Sequence, residues 1–120
     1  KKIEQVRKIN QFHFAEFGAY LSRLSEIYEG DSTLLDNCMI LFGGAIGDGN
    51  RHNHNNLPLL LAGRAQGALT PGQHIAFKRN TPLCNLFVKM ADIHGLELSR
   101  FGDSQGSLDL KQSSALDKRL

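Results

Sequence analysis

Apolar residues recur at helical spacing from the start of the chain, at Ile3, Val6, Ile9, Phe14, Phe17, Leu21, Leu24 and Tyr28. This stripe predicts one amphipathic helix over residues 3–28. Glu4, Arg7, Lys8, Glu16, Arg23 and Glu26 lie mostly off the stripe, and Gly30 is placed to cap the helix end. Asp31, Ser32 and Thr33 offer N-cap chemistry for a short turn through Leu35. The pattern then changes. Residues 38–42, CMILF, form a continuous apolar run of the length of a buried strand. A glycine-rich polar stretch follows, and a second apolar run occupies residues 57–62, where Pro58 suits a strand start or edge.

Residues 63–73 hold three glycines and a proline and read as a loop or loose hairpin, with a short strand expected at residues 74–77. Thr81-Pro82 is a helix start signal, a capping hydroxyl followed by proline at the first helical position. Leu83, Leu86, Phe87, Met90 and Ile93 supply the buried stripe of that helix, and Gly95 ends it. Residues 96–108 read as an irregular packed segment, and the polar residues 111–120 as a frayed tail. The unbroken apolar run at 38–42 predicts an interior strand of a mostly parallel sheet, flanked by the helices of residues 3–28 and 81–94.

Composition narrows the function classes. One hundred and twenty residues with 41% hydrophobic and 22% charged suit a modest domain or a piece of a larger one. A formal charge of +2 is too small to argue for a nucleic-acid partner. No apolar run approaches the ~18 residues of a membrane span. The chain opens Lys-Lys-Ile with neither a methionine nor a signal peptide, which gives the expectation of an interior stretch of a longer protein. Cys38 and Cys84 are expected as buried free thiols; a disulfide between them is the alternative and requires that they lie close together.

The candidate chemistry lies between the two apolar runs. Asp48, His52 and His54 have the spacing Asp-x-x-x-His-x-His, and a carboxylate with two imidazoles suits zinc, iron or manganese with a position left for water or substrate. Two histidines one residue apart point the same way on an extended backbone, with Asn53 facing away. Gly47 and Gly49 permit the loop to curl so that Asp48 reaches them. Arg51 suits an oxyanion such as phosphate or sulfate. The same residues also suit a purely structural loop, because Asn, His and Gly are common there and Asn satisfies loop backbone through Asx-turns. Gly43, Gly44, Gly47 and Gly49 meet neither the dinucleotide nor the P-loop pattern, and no Gly-x-Ser-x-Gly nucleophile elbow occurs.

The run GDSTLLDNCMILFGGAIGDGNRHNHNNLPLLLAG, with TPLCNLF and RFGDSQG after it, resembles the C-terminal part of domain-of-unknown-function family 1552, a group of secreted bacterial proteins. The likeness spans residues 10–110. That family is similar to the alkaline phosphatase and sulfatase superfamily, which implies an α/β/α sandwich and a metal held by strand-end Asp and His side chains. The resemblance implies that residues 1–110 are the C-terminal fragment of one such domain, secreted or periplasmic, completed by the N-terminal remainder of the same protein. It implies Asp48, His52 and His54 as ligands of a divalent metal, zinc or manganese, and an anionic substrate at Asn50 and Arg51. Metal-dependent phosphate or sulfate ester hydrolysis by the whole protein is the activity expected. The alternative is a non-catalytic envelope or surface protein that uses the loop for binding. One departure stands out: Gly47 occupies the position where a serine is expected before the aspartate.

Overall fold

Twenty-five residues without a proline and with glycine only at position 18 form the helix α1, Lys2–Glu26. The computed structural model describes residues 2–111 and divides into two compact units, Lys1–Gln66 and Gly67–Leu120. In the first unit α1 buries Leu24 and half-buries Phe17 and Leu21. The predicted helix is two residues too long. Tyr28 leaves it to join β1, Tyr28–Glu29, which pairs antiparallel with β2, Ser32–Thr33. Gly30 therefore takes the left-handed turn of a two-residue hairpin, φ 63°, and does not cap α1.

Thr33 then starts the four-residue helix α2, Leu34–Asn37, through a capping box. The Asp36 backbone N–H donates to Thr33 Oγ1 at 3.2 Å, and Thr33 N–H donates to Asp36 Oδ2 at 3.0 Å. Asp36 also pairs with Arg64 at 3.1 Å.

The second sheet consists of β3, Ile40–Gly43, and β4, Leu59–Ala62. These strands run antiparallel, with Ile40 opposite Ala62 and Phe42 opposite Leu60. The mostly parallel sheet of an α/β/α sandwich expected from the sequence does not form; both sheets among the described residues are two-stranded and antiparallel. An apolar run marks a strand without fixing the direction of its neighbour. Here residues 44–58 return the chain directly to β3 with no crossover helix, and a parallel pair needs such a crossover. Nor is β3 interior. Ile40, Leu41 and Phe42 are half-buried, and β4 is the sole ladder partner of β3 among the described residues. Cys38 precedes the strand as the C-cap of α2. The Phe42 ring stacks on Phe17 at 4.4 Å and meets Phe14 edge-on at 5.2 Å, which fastens β3 to α1.

In the second unit the helix α3, Cys84–Ile93, buries Leu86, Val88 and Asn85. No strand forms at residues 74–77. The Thr81 hydroxyl donates to the Lys78 carbonyl at 2.7 Å and makes no cap; Leu83 is the N-cap residue, without a side-chain bond. The predicted end at Gly95 is present, with Leu96 N–H on Ala91 O and Gly95 N–H on Asp92 O, the paired bonds of a Schellman motif. Asn85 is buried because it works: its Oδ1 accepts from Gln105 N–H at 2.8 Å and its carbonyl from Leu108 N–H at 3.3 Å. These bonds, with Phe101 against Phe87, hold residues 101–108 to the helix. Both cysteines are free thiols and half-buried. The tail expected at 111–120 lies outside the described residues beyond Lys111.

Candidate functional site

The β3–β4 turn carries all five sequence-predicted site residues, and their side chains are exposed. Its shape comes from two residues, Asp48 and Asn53. Asn53 accepts Asp48 N–H on Oδ1 at 3.1 Å, and its carbonyl accepts Gly47 N–H at 2.9 Å. Asp48 Oδ1 in turn accepts Asn50 N–H at 2.9 Å and Arg51 N–H at 3.4 Å, the Asx-turn of a loop head. Asp48 Oδ2 lies 3.6 Å from Arg51 Nε.

Gly47 is a steric requirement here. A Cβ at this position would collide with the Asn55 carbonyl and stand 3.2 Å from Asn53 Oδ1. A serine at this position has no room, because the loop closes tightly around Gly47.

The two histidines are set differently. His52 has a left-handed backbone, φ 50°, so the alternation of an extended segment does not apply to it. His54 Nδ1 lies 2.6 Å from the Ala45 carbonyl. A carbonyl can only accept, so Nδ1 carries the hydrogen, and of the two uncharged tautomers this contact selects the one with its lone pair on Nε2. Metal-binding histidines are commonly oriented in this way. The set as a whole does not fit a self-contained metal site. Asp48 spends its oxygens on the loop backbone and Arg51. Among the described residues no group of three or more His, Cys, Asp or Glu side chains could hold a metal ion.

The residue that sequence reasoning missed is Asn53, expected only to face away from the two histidines. It is half-buried and holds both sides of the loop. The signal was its side-chain amide, which satisfies loop backbone in turns. A separate open groove of about 310 Å³ in the second unit is lined by Phe77, Lys78, Thr81 and Asp109 among others, and contains none of the five candidates. No family model, no curated protein and no solved structure matches the chain.

Proposed function

We propose that the loop of residues 44–58 is a recognition site for a small oxyanion, phosphate or sulfate, and that the chain serves binding before chemistry. The observation that carries this reading is a convergence of donors. Asn50 N–H, Arg51 N–H and the Arg51 guanidinium all address one carboxylate, that of Asp48, so the loop is already folded around an anion. A guanidinium beside backbone N–H groups is the donor set that oxyanions use. Residues 44–58 contain no serine, threonine or cysteine, so the loop brings no side-chain hydroxyl or thiol nucleophile of its own. Calorimetric titration with phosphate and with sulfate tests the reading. Wild type binds, and Arg51→Ala weakens binding about tenfold or more, the loss of a charged hydrogen bond. Equal binding by Arg51→Ala, or none by wild type, ends it.

A second reading is metal-dependent phosphate or sulfate ester hydrolysis by a longer secreted or periplasmic protein, with zinc or manganese as the metal. The His54 Nδ1–Ala45 contact, which leaves Nε2 for a metal, favours it. In that protein His54 and His52 are this chain's contribution, and the remaining ligands come from elsewhere. The metal, when bound, polarises the ester oxygen. Competition titration with zinc tests this arm: His54→Ala lowers zinc affinity in the full-length protein, and unchanged affinity rejects it.

A further inference from the structure

The donors of the oxyanion site are not free to receive a ligand, because Asp48 already fills them. We propose that Asp48 is an internal competitor: an external oxyanion binds by displacing its carboxylate from Arg51 and from the Asn50 and Arg51 N–H groups. The inference rests on the oxyanion reading and adds how that site is regulated.

The geometry makes the exchange easy. The Arg51–Asp48 pair spans 3.6 Å, with the arginine side chain 77% and the aspartate 47% exposed. Strong charge-assisted pairs are nearer 2.7–2.9 Å, and a pair this open contributes little in water. The tighter contact is Asn50 N–H to Asp48 Oδ1 at 2.9 Å, and one oxygen of a phosphate or sulfate replaces it in kind. Asn53 holds Asp48 through the backbone N–H, so the loop keeps its closure while the Asp48 side chain swings out. Resting occupancy by its own carboxylate lowers the apparent affinity of the loop for an external oxyanion by the fraction of time that the donors are filled.

The test is calorimetric titration of the full chain with inorganic phosphate at low ionic strength. Asp48→Asn keeps an oxygen that can accept the turn hydrogen bonds and removes the competing charge. It binds phosphate about two- to fivefold more tightly than wild type, the range that an exposed ion pair is worth. Asp31→Asn, which removes an equal charge from an exposed position outside the loop, binds as wild type does. In wild type, the Asp48 side-chain carboxyl carbon resonance shifts as phosphate is added. If wild type binds, Arg51→Ala does not, and Asp48→Asn is no tighter than wild type, the competitor role is overturned while the oxyanion site stands. An equal gain in Asp31→Asn reduces the effect to general charge and overturns the role as well. If wild type does not bind, the oxyanion reading falls, and this inference with it.

Discussion

Gly47 shows how one missing carbon decides a loop. The Asn55 carbonyl occupies the space of a Cβ, and Asn53 closes the same turn from the other side. Gly47→Ser therefore forces the Asn55 peptide outward, at a cost of about 1–3 kcal/mol, as overpacked contacts show. The urea midpoint falls accordingly, and the His54 Nδ1–Ala45 contact is lost with the loop shape. A Gly47→Ser chain with the wild-type midpoint contradicts this account. Asn53 and Asp48 divide the work at this scale: one ties the two arms of the loop together, the other folds the loop head toward Arg51.

At the scale of elements, α2 survives with four residues because its start is bonded in both directions. The Asp36 carboxyl lies below its ordinary range chiefly because the Thr33 hydroxyl and N–H donate to it, with Arg64 adding attraction. A carboxyl depressed in the folded state contributes stability that is complete above the ordinary value near ~3.9. That contribution is lost as pH falls through the lower folded value. Thr33→Ala removes the cap, costs about 1 kcal/mol at neutral pH, and shrinks the acid loss of stability, because the folded Asp36 carboxyl returns toward its ordinary range. Denaturant midpoints followed by circular dichroism from neutral to acid pH check both effects; an acid limb unmoved in Thr33→Ala is the contrary result. The elements differ in how openly the sequence announces them. The 3.6-residue stripe made α1 and α3 legible, and the apolar runs marked β3 and β4 to within two residues. Strand direction was not legible, since a run such as ILF buries equally well in either sense. The hairpin of β1 and β2 escaped because two-residue strands carry no period, and Tyr28 continued the helical stripe past its end. In the site the donors could be read individually, but the bond of Asp48 to its own loop depends on a backbone path that spacing does not reveal.

At the scale of the whole molecule, apolar burial is thin. Leu24, Leu69, Leu86 and Val88 are the buried apolar side chains among the described residues, while Ile3 is 86% exposed and Val6, Ile9, Phe12 and Phe14 are also exposed along α1. Exposed apolar surface of this extent promotes association. The isolated chain is expected to self-associate with concentration or to melt broadly. Sedimentation and thermal unfolding read this out, and a monodisperse monomer with a sharp reversible transition counts against it. The β3–β4 pairing has a consequence for kinetics. Its ladder joins Ile40 to Ala62, so the chain must close residues 44–58 into a ring before any of those bonds form. Closure entropy is spent before the ladder returns it, whereas α1 forms from near neighbours. The Asx-turn at Asp48 and the Asn53 clasp shorten the search by holding the loop half-bent. The residues that present the candidate site thus lie within the ring that must close before the sheet can form.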